Sequence, residues 1–202
     1  MNVGDKIIEL HRRLDDADIP HAFGGAIALA YCTFPARGTE DIDLNIFVDA
    51  DAAQTVLVCL PEGVEIPIGA ADIIRRDAQT RLWWSETPVD LFFNNVEFHL
   101  TAAKRWRMVE FGPTTIPVLS CTDLAICKAL FARRKDWADI EAMVAADSLD
   151  GDDCLVWLGA LVGEDDHRVV EFTKIRAETA PGPGPGDMLP PELRPGAGAK
   201  AD

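Results

Sequence analysis

Apolar positions along this 202-residue chain follow two regimes. Up to about residue 118, short alternating runs interleave with helical stripes; beyond it the spacing is helical. Ile7, Ile8, Leu10 and Leu14 form one stripe with charges elsewhere, which predicts a helix over residues 3–16. "HAF" then reads as a short strand, and Gly24-Gly25 turns the chain into a second helix over residues 26–32. Residues 35–40 read as a loop, and 41–48, rich in Ile, Leu, Phe and Val, as a strand. A helix over 50–60 follows, then "PEGVEIPIG" as turn, strand and turn, then a short helix over 70–77. "TRLWWSETPVDLFFN" predicts two strands with a turn at residues 86–88, and "TTIPVLS" a further strand. The stretch between them, with Lys104, Arg105 and Arg107, has no clear period, and no internal repeat is visible. The pattern therefore predicts an α+β fold. A small mixed sheet flanked by helices takes residues 1–118, a C-terminal helical lobe takes 119–180, and 181–202 form a tail. That tail, "PGPGPGDMLPPELRPGAGAKAD", has too little apolar surface to order itself and is expected to be disordered.

Composition narrows the class. Hydrophobic residues make up 48% of the chain, enough for a real core. A net charge of -15 argues against a wholly basic nucleic-acid binder, while leaving room for local basic patches. The five cysteines are scattered and form no CxxC pair, so neither a zinc site nor a disulfide framework is expected. They read as buried, reduced thiols of a cytoplasmic protein. The N-terminus lacks a signal-peptide layout, and the longest mostly apolar stretch, residues 22–34, is too short to span a bilayer, so no membrane partner is expected.

Candidate chemistry lies in "GGAIALAYCTFPARGTEDIDLNIFV", residues 24–48. Side chains alternate across a strand, so Asp41 and Asp43 share one face while Ile42, Leu44, Ile46 and Val48 share the other. Adjacent carboxylates repel unless a cation intervenes. Mg2+ is the natural one, with its preference for hard oxygen ligands and its habit of sharing them with phosphates. Asp90 sits in "PVDLFF", a second strand with apolar neighbours. If the two strands are adjacent, three carboxylates converge on a site able to hold two ions, an arrangement suited to in-line phosphoryl or nucleotidyl transfer. Gly24 and Gly25, between strand and helix, offer bare backbone amides to a phosphate; alone, such a pair is more commonly only a turn.

Taken together, Gly24-Gly25, Arg37, Thr39 and "DIDL" (Asp41 to Leu44) resemble the first motif of the nucleotidyltransferase superfamily related to DNA polymerase β. "RGTEDIDL" is similar to AbiEii-type toxins of bacterial toxin–antitoxin systems. "SCTDLAICK" (residues 120–128) resembles that branch's Ser…Asp…Lys motif, and "RRKDWADI" (residues 133–140) its Arg-x-Lys-Asp-type motif. The resemblance implies a nucleotidyltransferase fold and NMP transfer from an NTP to an RNA acceptor, a tRNA 3′ end, with a cognate antitoxin as protein partner. It implies that Asp41, Asp43 and Asp90 bind Mg2+, that Asp90 helps deprotonate the acceptor, and that Gly24, Gly25 and Thr39 belong to the nucleotide site. Lys128, in a helical stretch, would reach the triphosphate; by itself it reads as a solvated lysine. Asp136 is either a local partner of Arg133 or an active-site acid, with Asp139 the weaker candidate. Arg37 either pairs with Asp41 or contacts phosphate. Two alternatives stand beside this reading: a small-molecule, aminoglycoside-type nucleotidyltransferase, favoured by the chain's acidity, and a non-catalytic nucleotide-binding regulator. His21, His99 and His167 look isolated; Trp83, Trp84 and Trp106 read as core. Lys104–Arg107 and Arg133–Lys135 are solvated faces or an RNA track.

Overall fold

The computed structural model describes residues 1–33 and 38–179, which form two compact units. The first comprises residues 1–31 and 38–124 of those described; the second comprises 32–33 and 125–179.

The first unit opens with α1 (Val3–Asp15), whose start is fixed by a capping box. Asp5 N–H donates to Asn2 Oδ1 at 2.9 Å and Asn2 N–H to Asp5 Oδ2 at 3.1 Å. β1 (His21–Phe23) and the short α2 (Gly25–Leu29) follow, then β2 (Ile42–Asp49). A 3-10 turn (Ala50–Ala52) leads into α3 (Ala53–Cys59), β3 (Val64–Glu65) and α4 (Ala70–Asp77). β4 (Gln79–Trp84) and β5 (Thr87–Asn94) form a hairpin, followed by α5 (Glu97–Ala102), β6 (Arg107–Phe111) and β7 (Thr114–Val118). The seven strands make one mixed sheet in the order β3-β4-β5-β2-β1-β7-β6. β2 pairs in parallel with β5, and β5 antiparallel with β4.

One face of the central strands is the core. Ile42, Leu44 and Ile46 of β2, Leu82 of β4 and Val89, Leu91 and Phe93 of β5 are all buried there. α1 contributes Ile7, Leu10 and Leu14 to the core, together with a buried lysine. Lys6 Nζ donates to Trp84 O at 2.7 Å and to Thr87 Oγ1 at 2.9 Å, and lies over the Trp84 ring. Its charge is thereby solvated by oxygen and π density instead of water.

α6 (Cys121–Phe131) leads from the first unit into the second. α7 (Arg134–Ala145), α8 (Gly151–Val162) and α9 (His167–Glu178) complete the second, around Ile126, Ile140, Met143, Cys154, Leu158 and Phe172. Asp150 and Asp166 cap α8 and α9, which breaks the helical pattern expected from residue 120 onward into separate helices.

Several expectations need correction. β2 begins at Ile42, one residue after Asp41. α5 and β6 have no counterpart in the sequence reading, since residues 97–111 carry neither a clean helical nor a clean strand period. The cysteines are not five reduced thiols: Cys32 and Cys121 are disulfide-bonded, while Cys59, Cys127 and Cys154 are free. Arg37 and the 181–202 tail lie outside the described residues.

Candidate active site

Sheet register builds the acidic cluster. Asp43 of β2 and Asp90 of β5 are direct partners on adjacent parallel strands, placing their backbones about 4.8 Å apart. Asp41, two residues before Asp43 and at the strand's entry, extends the row. In β5 burial alternates strictly, with Val89, Leu91 and Phe93 buried and Pro88, Asp90 and Phe92 partly exposed. The carboxylates thus stand on the face opposite the apolar core.

Each has a defined setting. Thr39 Oγ1 donates to Asp41 Oδ1 at 2.6 Å, and Asp41 N–H returns a bond to Thr39 Oγ1 at 3.3 Å. Thr39 therefore positions Asp41. Asp43 lies against the glycine turn. Gly24 N–H donates to Asp43 O at 2.9 Å, and Gly25 starts α2 at φ 52°. A Cβ on Gly25 would sit 2.6 Å from Asp43 Cγ, and one on Gly24 would sit 2.8 Å from Asn45 Nδ2. Both positions therefore require glycine: Gly25 for its left-handed backbone and the carboxylate behind it, Gly24 for the Asn45 amide.

Asp90 is held by a residue absent from the sequence reading. Arg81 of β4 is its cross-strand partner, and Arg81 Nε and Nη2 each donate to one Asp90 oxygen at 2.7 Å. The Asp90 side chain is 16% exposed and that of Arg81 54%. The Asp90 bonds and charge, followed by the charges of Asp41 and Asp43, raise the Arg81 guanidinium above its ordinary pKa. All three carboxylates thus share the field of one arginine. The pairing was readable. With a two-residue link at Ser85-Glu86, in place of the turn expected at 86–88, counting back along the hairpin sets Arg81 opposite Asp90.

Oxygen donors from three carboxylates suit a hard divalent cation, and the glycine turn packs directly against Asp43. Among the described residues, no group of three His, Cys, Asp or Glu side chains is already gathered in metal-ligating geometry. Asp41 and Asp90 instead turn to Thr39 and Arg81.

The second unit carries its own charged network. Lys128, near the end of α6, is buried and donates to Asp139 Oδ2 at 2.8 Å, with Asp136 Oδ1 at 3.8 Å. Asp136, fully buried, caps α7: it accepts from Arg133 N at 3.1 Å and Arg133 Nε at 2.6 Å. The local-partner alternative for Asp136 is thus realised, and Asp139 is the nearer partner of Lys128. The solvated-lysine reading of Lys128 fails.

The "KRWR" segment is less available than its charges suggest. Arg105 pairs with Asp123, which is completely buried and also accepts from Ser120 Oγ at 2.6 Å. Arg107 donates to Tyr31 O at 3.0 Å and to Cys121 Sγ at 3.0 Å. Lys104 is exposed. Trp84 is core, but Trp83 is 45% exposed and Trp106 37%. His21 is not isolated. Its Nδ1 lies 2.7 Å from Ile19 O and its Nε2 3.0 Å from His11 Nδ1, so His21 Nδ1 and His11 Nδ1 carry the hydrogens.

Residues 10–195 match the family described as nucleotidyl transferase AbiEii toxin, type IV TA system. No curated protein matches the chain. Among solved structures, an antigenic nucleotidyltransferase-like protein from Paracoccidioides brasiliensis is similar at 14% identity and TM-score 0.50, covering 85% of each chain. The antibiotic-resistance factor ANT(2'')-Ia is similar at 13% identity and TM-score 0.49, covering 86% of this chain and 89% of its own. JHP933 from Helicobacter pylori is similar at 12% identity and TM-score 0.42, covering 86% of this chain and 88% of its own. With the match spanning nearly the whole sequence, the chain belongs to the AbiEii family of nucleotidyltransferase toxins.

Proposed function

We propose that this nucleotidyltransferase moves NMP from an NTP to the 3′ end of an RNA, of the tRNA class, as the toxin of a toxin–antitoxin pair in the cytoplasm. The observation that carries the reading is the register of Asp43 against Asp90, with Asp41 beside them and the glycine turn packed on Asp43. Asp41, Asp43 and Asp90 would hold Mg2+, one or two ions. When bound, the metal would supply positive charge against the charge of the triphosphate and of the transfer.

The chain's own residues do the rest. Thr39 fixes Asp41, and Gly24 and Gly25 let the turn pack closely against Asn45 and Asp43, beside which phosphate would lie. The acceptor hydroxyl oxygen attacks the α-phosphorus. A new P–O bond forms, the bond to the α–β bridging oxygen breaks, and pyrophosphate leaves. The hydroxyl proton passes to a carboxylate of the set, a role given to Asp90. In the second unit the resemblance gives roles to Lys128 and Asp136; here Lys128 pairs with Asp139 and Asp136 with Arg133. The Asp139 carboxylate offsets part of the cost of burying Lys128.

A small-molecule acceptor is the second reading. Two observations favour it: the net charge of -15 attracts a polycation, and Arg105 and Arg107 are committed to local structure. One assay separates the readings. Radiolabelled NTPs are offered with total RNA and, in parallel, with aminoglycosides. Label in RNA of tRNA size, lost in Asp43→Asn, supports the first reading. Label in the aminoglycoside alone supports the second, and label in neither, with nucleotide bound, indicates a regulator.

A further inference from the structure

The acidic face contains a cation of its own. Arg81 fits Asp90 with both arms of its fork, each contact at 2.7 Å. The pair is held by strand register, not by chance contact of flexible surface groups: Arg81 faces Asp90 across β4–β5, and Asp90 faces Asp43 across β5–β2. The three residues thus form a row across three strands, with Arg81 at its outer, exposed end. The charges of Asp41 and Asp43 also act on the guanidinium.

We propose that Arg81 is the carboxylate site's resident counter-ion, which occupies Asp90 and competes with a divalent cation for it. The inference rests on the metal-site reading given above. Three carboxylates in one row repel one another, and a bidentate guanidinium neutralises one of them without solvent reorganisation. A cation that engages Asp90 must first release it from Arg81. The released guanidinium, already on the exposed side, is then free to meet a substrate phosphate, for which its fork is suited. Arg81 thereby couples occupation of the metal site to the arrival of an anionic substrate.

The test is Mn2+ binding to the full chain without nucleotide, followed by the electron paramagnetic resonance signal of free Mn2+. Arg81→Gln should bind Mn2+ about five- to tenfold more tightly than the wild type at low salt, the scale of one exposed but bidentate pair. Arg81→Lys should fall between the two, because it keeps the charge and loses the fork. Asp90→Asn and Asp90→Asn/Arg81→Gln should bind Mn2+ equally, since the competition is for Asp90. Circular dichroism checks that each variant folds. Unchanged or weaker Mn2+ binding in Arg81→Gln, with binding lost in Asp43→Asn, overturns the proposal and leaves the metal site standing. Mn2+ binding indifferent to Asp41→Asn and Asp43→Asn removes the metal site, and the proposal with it.

Discussion

Arg105 is the sharpest test of the charge assignments. Asp123 is completely inaccessible, and its carboxylate is satisfied by Ser120 Oγ and the Arg105 guanidinium. Arg105→Ala leaves a buried carboxylate with a hydroxyl but without its cation. Removing one member of a fully buried pair costs about 3–5 kcal/mol. The Arg105 side chain is 29% exposed, and water can enter where it was, which reduces the expected loss to about 2–3 kcal/mol. For a chain of this length each kcal/mol moves the melting temperature by about 2–4 °C, so the variant should melt about 4–12 °C lower. Differential scanning calorimetry measures it, with exposed Lys104→Glu as the neighbouring control, expected within about 0.5 kcal/mol of wild type. Asp123→Ala/Arg105→Ala should lose less than the single Arg105→Ala, because the stranded charge goes with its partner. An Arg105→Ala variant that melts within about 1 °C of wild type would refute the buried pair and return Arg105 to the pool of available cations. The same result governs tests of RNA binding. Charge reversal is informative at Lys104, Arg134 and Lys135, which are exposed, and misleading at Arg105.

Three further outcomes are expected. Asp43→Asn should abolish nucleotide transfer while melting within about 2 °C of wild type, as an isosteric loss of charge in a row of like charges; transfer retained at wild-type rate with Mg2+ would exclude Asp43. Gly25→Ala should destabilise by at least about 1 kcal/mol from its left-handed backbone alone, and its Cβ against Asp43 should suppress transfer further, read by chemical denaturation and the labelled-NTP assay. Burial lowers the pKa of His21 and of His11 below the ordinary 6.5, so the unfolded chain takes up protons first as pH falls. Their stabilising contribution is full above about 6.5 and declines below it; His21→Phe should flatten the melting-temperature profile between pH 7 and 5, and an unchanged profile would show that the pair does not titrate in this way.

The acids were legible because strand alternation is a local property. Ile42, Leu44 and Ile46 had to face the core, which sent Asp41 and Asp43 the other way, and the same argument applied to Asp90. The nucleotidyltransferase fold followed from the order of the motifs. Arg81 was not paired in the sequence because a turn at 86–88 sets Trp84, not Arg81, opposite Asp90. The pairing of Arg105 was not legible: "KRWR" has the look of a surface, and only the tertiary structure brings in the buried Asp123, 18 residues away. The choice of Asp139 over Asp136 for Lys128 depends likewise on how α6 and α7 pack, because both acids sit on α7 and only geometry ranks them. α5 and β6 were missed because Leu100 and Met108 are exposed while Phe98 is buried, so the apolar residues of this stretch do not mark one face.

The short connection between β4 and β5 sets how this protein tolerates insertion and deletion. Ser85 and Glu86 are exposed, and they alone join the strands that align Arg81 with Asp90. Extra residues at this tip lengthen a loop at small entropic cost and leave the strand pairing intact. One residue gained or lost inside β4, by contrast, would exchange the facing of Arg81 with that of Leu82, burying a guanidinium and exposing a leucine in the same step. An epitope or reporter peptide spliced between Ser85 and Glu86 should therefore leave a working enzyme, while length changes within residues 79–84 should be rejected.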